Sequence, residues 1–196
     1  MTVAATSRLI RAASGLRMPW KNGGGWTTLI AVWPESAGDE DFGWRLSIAE
    51  IERSQPYSIF PGVDRRQLLL TGPGLLLSNA GERHLLSKPY DTAGFSGDSA
   101  LMCEPAGPCR VFNLMTRRGM VNAEVAVMHG NVSIKAGTGP LLLHVATGEY
   151  RLRAPAAADD GVLRSADTLV AGGGAVSAEG GAGAVMVAVR LEVSRV

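Results

Sequence analysis

The stretch Met18-Pro-Trp-Lys-Asn-Gly-Gly-Gly-Trp26 places two of the four tryptophans of the chain around a cation, an amide and three consecutive glycines. Glycine permits positive φ angles and a close approach between two backbones, which suits the start of a strand beside a pocket. We interpret the stretch in this way, with Trp20, Lys21 and Asn22 presented to a ligand. The alternative is a strand or bulge whose tryptophans only fill the core.

The residues that follow predict two strands. Residues 27–33 are rich in β-branched and apolar side chains and end at Pro34, which is typical of a strand. Residues 42–51 alternate with period two, which indicates a strand with two different faces. The two faces carry Trp44, Leu46 and Ile48 on one side, and Arg45, Ser47 and Ala49 on the other. Glu50 has the parity of the apolar face, so it lies either inside a cavity or at a strand end in solvent.

The rest of the chain is predicted to form further short strands separated by glycine and proline turns. Residues 61–66 are expected to form a turn, and the glycine-rich residues 171–183 a connection. No convincing helix is present, and residues 154–160 are the best candidate for one. Many short strands with regularly spaced turns favour an all-β sandwich or barrel.

Two landmarks recur at one offset, which predicts an internal repeat. The hairpin at Thr71-Gly72 resembles the hairpin at Thr147-Gly148, and each follows a run of leucines. At the same offset, residues 111–117 align with residues 187–193. The chain is therefore expected to contain two copies of a β-module. Since all four tryptophans lie in the first copy, we place the functional site there.

Composition argues against several classes of partner. The formal net charge is +1 and the sequence has no block of lysine or arginine, so nucleic acid is a poor candidate. The N-terminal residues have no apolar core of a signal peptide, and no apolar run approaches the roughly 20 residues of a membrane span. We therefore expect a cytoplasmic protein without membrane contact. In a reducing compartment Cys103 and Cys109 are expected to be free thiols.

Five motifs together carry a resemblance to a known family. They are Met18-Pro-Trp-Lys-Asn-Gly-Gly-Gly25, Trp44-Arg-Leu-Ser-Ile-Ala-Glu50, Phe60-Pro-Gly-Val-Asp-Arg65, Phe95-Ser-Gly-Asp98 and Phe112-Asn-Leu-Met-Thr-Arg117. As a set they resemble the HutD/Ves family over residues 18–119. The resemblance implies a bicupin, that is, two jelly-roll (RmlC-like cupin) β-barrels in one chain. We assign residues 1–119 to an N-terminal module with the ligand pocket and residues 120–196 to a degenerate C-terminal module. Whether the N-terminal strand is shared or swapped between modules is left open.

The resemblance also implies a function. HutD-like proteins are proposed to bind an intermediate of histidine breakdown, such as urocanate or formylglutamate, and to govern flux or induction. A cupin metal site would need about three converging imidazoles and a carboxylate, whereas His84, His129 and His144 are far apart in the sequence. We predict no metal and no cofactor, and expect His144 to be a hydrogen-bonded core histidine.

A small carboxylate is the ligand that the candidate residues suit best. Arginine grips carboxylates through a planar fork of donors, and Arg45, Arg65 and Arg117 each lie in a family motif. Asp64 is a candidate to orient the neighbouring Arg65. Asparagine can donate and accept, and aromatic rings form the walls of small-molecule pockets. The full candidate set is Trp20, Lys21, Asn22, Arg45, Ser47, Glu50, Phe60, Asp64, Arg65, Asn113, Met115 and Arg117.

Two other function classes stay open. One is a metal-independent cupin isomerase or hydrolase, with Glu50 as general base and Arg65 holding the substrate carboxylate. The other is a stress-related interaction protein of the Ves type, and a homodimer is compatible with either. The non-enzymatic binding protein is the leading hypothesis.

Overall fold

The computed structural model describes residues 7–20, 25–38, 41–153 and 161–194. Within this part of the chain there are nineteen β-strands, one 3₁₀ helix at Ala12–Ser14 and no α-helix. The strands are β1 Arg8–Ile10, β2 Leu16–Pro19, β3 Gly25–Trp33, β4 Trp44–Ile51, β5 Gln55–Pro56, β6 Val63–Thr71, β7 Leu75–Ser78, β8 Arg83–Leu86, β9 Thr92–Ser96, β10 Met102–Pro105, β11 Cys109–Arg117, β12 Val121–His129, β13 Val132–Lys135, β14 Leu141–Thr147, β15 Glu149–Leu152, β16 Val162–Arg164, β17 Thr168–Ala171, β18 Ala175–Gly180 and β19 Val185–Val193. The protein is thus all-β, as predicted. The helix candidate at residues 154–160 lies outside the described residues.

The chain divides into two compact units. The first unit is Leu16–Met120, and the second unit combines the residues up to Gly15 with those from Val121 onward. The N-terminal strand β1 belongs to the second unit, where it pairs antiparallel with β17. No helix in the described part of the chain is long and apolar enough to cross a membrane.

The first unit consists of two antiparallel sheets. The six-stranded sheet has the order β2-β3-β4-β11-β6-β9, and the four-stranded sheet has the order β5-β10-β7-β8. Ile51, Leu69 and Val111 from the larger sheet share one apolar cluster with Leu77 and Cys103 from the smaller sheet. The core of this unit therefore lies between its two sheets, on the inner faces of alternating strands.

The second unit repeats this strand order. Its sheets are β12-β19-β14-β17-β1 and β13-β18-β15-β16. Without β1, which has no counterpart at that edge, they correspond strand by strand to β4-β11-β6-β9 and β5-β10-β7-β8. A register shift skips Leu70 where β6 pairs with β11, and an equivalent shift skips Ala146 where β14 pairs with β19. The offset of 76 between these two residues is the one that the hairpins predict.

The alignment of the last strand of each copy needs a one-residue correction. Val111 of β11 faces the core of the first unit, whereas Met186 and Ala188 of β19, and not Val187, belong to the core cluster of the second. Side chains alternate between the two faces of a strand. Equivalent core residues of β11 and β19 are therefore separated by an odd number of positions in the sequence, and not by 76.

Two local predictions are wrong. Residues 63–66, assigned to a turn, are the first part of strand β6. Residues 175–180, assigned to a glycine-rich connection, form strand β18. In both places the tertiary pairing of the strand outweighs a local sequence that looks like a turn.

Candidate functional site

A cavity of about 1000 Å³ opens on the inner face of the six-stranded sheet of the first unit. Residues from the central strands form its floor. Its walls are formed by the C-terminal end of β2 and by the segment between β5 and β6. The lining residues are Met18, Pro19, Trp20, Thr27, Asp41, Arg45, Ser47, Ala49, Pro56, Tyr57, Ser58, Ile59, Phe60, Pro61, Val63, Arg65, Gln67, Asn113, Met115 and Arg117.

The floor is built from alternate positions of three neighbouring strands, β4, β11 and β6. Residues opposite one another on these strands form rows across the sheet. One row is Ser47, Asn113 and Gln67, and the next is Arg45, Met115 and Arg65. All six side chains are buried. The polar face of β4 thus lines the cavity, while the apolar residues of the same strand are buried on its other face.

A chain of hydrogen bonds connects the polar residues of the floor. The Tyr57 hydroxyl donates to Gln67 Oε1 at 3.4 Å, and Gln67 Nε2 donates to Asn113 Oδ1 at 3.0 Å. Asn113 Nδ2 donates in turn to Ser47 Oγ at 3.3 Å. Arg65 Nη2 also donates to Asn113 Oδ1, at 3.5 Å. The amide oxygens are therefore occupied by donors of the protein itself.

Arg65 is the most unusual group in the cavity. Arg65 is only 7% exposed, and no carboxylate of the described residues lies within ion-pairing distance of its guanidinium. Two long hydrogen bonds, to Ser58 O and Asn113 Oδ1, leave the buried Nε without a partner. Burial, with a smaller contribution from the nearby Arg45, lowers the pKa of Arg65 to about 10. An unpaired buried cation of this kind is costly unless an anion joins it.

Aromatic rings surround the Arg65 guanidinium. Its central carbon lies 4.7 Å from the ring centre of Tyr57, 5.1 Å from that of Phe95 and 5.7 Å from that of Phe60. Trp20 meets the Tyr57 ring edge-to-face at 6.1 Å, and its Nε1 donates to Thr27 Oγ1 at 2.7 Å. The rings hold the cation by cation–π attraction, which fixes its position without neutralising its charge.

The glycine stretch has a structural role beside this wall. Strand β3 begins at Gly25, and the Trp20 N–H donates to Gly25 O at 2.9 Å. A Cβ at position 25 would collide with the backbone carbonyl oxygen of Glu50. The glycine is therefore required for close backbone approach, as predicted. Trp20 both lines the cavity and packs against the edge of the apolar core, which combines the two interpretations of its role.

The structure brings most of the predicted site residues to one cavity. Those that line it are Trp20, Arg45, Ser47, Phe60, Arg65, Asn113, Met115 and Arg117. Arg117 is held at the wall by hydrogen bonds from its guanidinium to Pro61 O at 2.9 Å and Phe42 O at 3.4 Å. Lys21 and Asn22 lie outside the described residues.

Glu50 does not reach the cavity. Its carboxylate pairs with Arg17 at 2.6 Å and lies 3.9 Å from Arg110, on the face of β4 opposite Arg65. If the protein were an enzyme with Glu50 as general base, the sheet would separate Glu50 from Arg65, the arginine expected to hold the substrate.

Asp64 also points away from the cavity and does not orient Arg65. Successive residues of a strand face opposite sides, so Asp64 reaches the outer surface and pairs with Arg118 at 2.8 Å. Arg118 also pairs with Asp98 at 2.9 Å. A backbone N–H from Gly62, the Ser96 hydroxyl and Arg118 lower the pKa of Asp98 to about 2.

Two central residues of the site were missed by the sequence reasoning. Gln67 lies two positions after Arg65, so strand periodicity would have placed both side chains on one face once β6 was known to begin before Arg65. Tyr57 lies in a segment with little regular structure, and no periodic signal identifies it. Burial raises the pKa of Tyr57 well above its usual value, so its hydroxyl stays protonated as a donor.

The histidines and cysteines lie elsewhere. His144 is buried in the second unit, where its Nδ1 shares a 2.9 Å hydrogen bond with Thr168 Oγ1, as expected of a core histidine. Within the described ranges, no three His, Cys, Asp or Glu side chains converge as metal ligands would. Cys103 and Cys109 are free and buried, and burial raises the pKa of Cys103 to about 12 and of Cys109 to about 11.

Comparison with known proteins gives the fold and the family. The chain is 12% identical to a cupin 2 conserved barrel domain protein from Leptotrichia buccalis, with a TM-score of 0.53 over 90% of this chain and 92% of that one. At this identity the likeness shows the fold alone, which is cupin-like.

Closer similarity is found among pseudomonads. The chain is 37% identical over 146 residues to an uncharacterised 21.2 kDa protein from the 3′ region of hutC in Pseudomonas putida, covering 74% of this chain and 76% of that protein. The solved structure of HutD from Pseudomonas fluorescens SBW25 is 29% identical and superposes with a TM-score of 0.82, covering 97% and 100% of the two chains. The model of the HutD family matches residues 12–187. The chain therefore belongs to the HutD family.

Proposed function

We propose that the protein is a non-enzymatic binding protein for a small carboxylate of histidine breakdown, of the urocanate or formylglutamate class, and that it governs flux through that pathway. The observation that carries this proposal is Arg65, a buried guanidinium that faces a large cavity without a carboxylate partner and with its Nε unbonded. A ligand carboxylate would supply the missing negative charge and would accept from the remaining terminal N–H groups of the guanidinium.

Other features of the cavity support a small organic anion. Arg45 and Arg117 add positive charge to the same lining, and Trp20 and Phe60 offer apolar surface for a planar ligand. The volume of about 1000 Å³ is ample for a molecule of this size. The pathway assignment rests on the family and on the relative from the hutC region.

The proposed architecture is a bicupin, since the strand order of the first unit recurs in the second and the fold is cupin-like. In that arrangement the first unit keeps the ligand pocket and the second is a degenerate copy. We further propose that the protein acts in the cytoplasm, where the intermediates of histidine breakdown arise. A homodimer is compatible with these proposals.

Thermal unfolding with urocanate and with formylglutamate tests the binding proposal. A ligand present at 100 times its dissociation constant should stabilise the protein by about 2.7 kcal/mol. For a chain of this length each kcal/mol raises Tm by about 2–4 °C. Arg65→Met should abolish the shift, whereas the surface variant Arg118→Met should retain it. No shift with either acid would refute the binding proposal, and chemical turnover of either acid would refute its non-enzymatic part.

A further inference from the structure

We infer that the cavity selects carboxylates that carry no ammonium group. A free amino acid should bind much more weakly than the same carboxylate whose amine is absent or acylated. This inference rests on the proposed function, because it specifies which anions the same cavity accepts.

Each side-chain amide or hydroxyl oxygen in the hydrogen-bonded chain on the cavity floor already accepts at least one hydrogen bond from the protein. Gln67 Oε1 accepts from Tyr57, Asn113 Oδ1 accepts from both Gln67 and Arg65, and Ser47 Oγ accepts from Asn113. What these groups still offer is hydrogen: the second N–H of each amide, the Ser47 hydroxyl proton and the remaining terminal N–H groups of Arg65. The floor is thus complementary to a ligand whose polar atoms are acceptors.

Backbone carbonyls at the wall are engaged in the same way. Ser58 O accepts from Arg65, and Pro61 O accepts from Arg117. Among the lining residues that the structure describes, Asp41 is the one carboxylate, and it is solvent-exposed. Within the described lining, a buried cationic group on a ligand would therefore find no negative charge at the floor to pair with.

An ammonium group carries three donors and a positive charge, whereas the hydrogen-bonded chain on the floor offers only the second lone pairs of Gln67 Oε1 and Ser47 Oγ and no carboxylate. It would also lie close to the guanidinium groups of Arg45 and Arg65, which already repel each other. Like charges in a poorly solvated site disfavour binding strongly. Acylation of the amine removes the charge and adds a carbonyl acceptor, and replacement by hydrogen removes the charge alone.

Calorimetry on the wild-type protein with glutarate, glutamate and N-formylglutamate separates these effects, because the three acids share one five-carbon dicarboxylate. Urocanate and histidine form a second pair, which differs in the amine and in the double bond that loss of the amine leaves. We expect each acid without an ammonium group to bind at least about tenfold more tightly than its amino-acid counterpart, a difference of about 1.4 kcal/mol.

Ser47→Asp, which adds a carboxylate at the end of the hydrogen-bonded chain, should reduce this ratio at least threefold, and Ser47→Asn should not.

The outcomes distinguish this inference from the proposed function. Binding of glutamate and N-formylglutamate within about twofold of each other would overturn the inference and leave carboxylate binding intact. Tight binding of N-formylglutamate with equally weak binding of glutarate and glutamate would also overturn it, because the formyl contact would then cause the selectivity. Binding of none of the five acids would refute the proposed function, and this inference with it.

Discussion

Replacing Arg65 by methionine should stabilise the unliganded protein and abolish ligand binding. Burial lowers the pKa of this guanidinium from 12.5 to about 10. At about 1.4 kcal/mol per pKa unit, the fold disfavours the charged guanidinium over the neutral one by roughly 3 kcal/mol. Methionine removes the charge and keeps an unbranched stem between the aromatic rings, although the cation–π contacts are lost and Ser58 O and Asn113 Oδ1 each lose a donor. We therefore expect a net stabilisation of about 2 kcal/mol, in the range seen when buried charges are replaced by apolar side chains.

The sign of the pH dependence follows from the direction of the shift. A basic group whose folded-state pKa is lowered destabilises the fold at every pH below that pKa, and the penalty fades only as the pH rises from about 10 towards 12.5. The advantage of Arg65→Met over the wild type should therefore be constant between pH 6 and 8. For a chain of 196 residues it should appear as a rise in Tm of about 4–8 °C.

Scanning calorimetry without ligand measures this shift, and calorimetric titration measures binding. The matched control is Arg118→Met, since Arg118 is exposed and pairs with two carboxylates on the outer surface of the same unit. That variant should not raise Tm and should bind ligand normally. A fall in Tm for Arg65→Met would show that the buried guanidinium stabilises the empty fold, and the case for an unsatisfied anion receptor would fail.

Three further predictions concern the fold around the site. Gly25→Ala should cost about 1–3 kcal/mol in the free energy of unfolding because its Cβ meets a neighbouring carbonyl, whereas Gly38→Ala, with open space around it, should be nearly neutral by urea denaturation. Asp98→Asn should lower Tm at pH 7 and have little effect near pH 2, because a carboxylate with a lowered pKa stabilises the fold above its unfolded pKa and stops doing so as the pH falls to about 2. Equal effects at both pH values would contradict this. Cys103 and Cys109 should react with a thiol reagent at neutral pH only after unfolding, and rapid reaction of the native protein would contradict their burial.

The sequence was sufficient for the class of fold and for the repeat because both depend on patterns that recur along the chain. Alternation in residues 42–51 identified β4, and the leucine run with its Thr-Gly turn located the same hairpin in each copy. The one-residue error in the last strand arose because the segment from Thr147 to its strand partner Val185 is one residue shorter than the segment from Thr71 to its strand partner Arg110. Register depends on partner strands, which periodicity alone does not reveal.

The same reasoning explains the outcome at the site. The family motifs brought Arg65, Asn113 and Ser47 into the candidate set, but the motifs do not say which face of a strand a residue occupies. Glu50 is a candidate because it shares the parity of the apolar face of β4, but the opposite face lines the cavity. Asp64 is a candidate because it is adjacent to Arg65, and adjacency along a strand places side chains on opposite faces. Parity excludes Glu50 once the polar face of β4 is chosen as the lining, and it excludes Asp64 once Arg65 is placed in the cavity.

The repeat provides an internal comparison for the polar floor. In the first unit Asn113 lies opposite Gln67, and in the second unit Ala188 lies opposite Leu143 at the equivalent row. Leu141, 76 residues after Arg65, is likewise fully buried in the apolar core of the second unit. The same strand order is therefore compatible with a conventional apolar interior. Burying Arg65, Gln67 and Asn113 costs free energy that this alternative avoids, so structural stability does not account for these residues. Their presence in the first unit supports the proposed recognition of an anion.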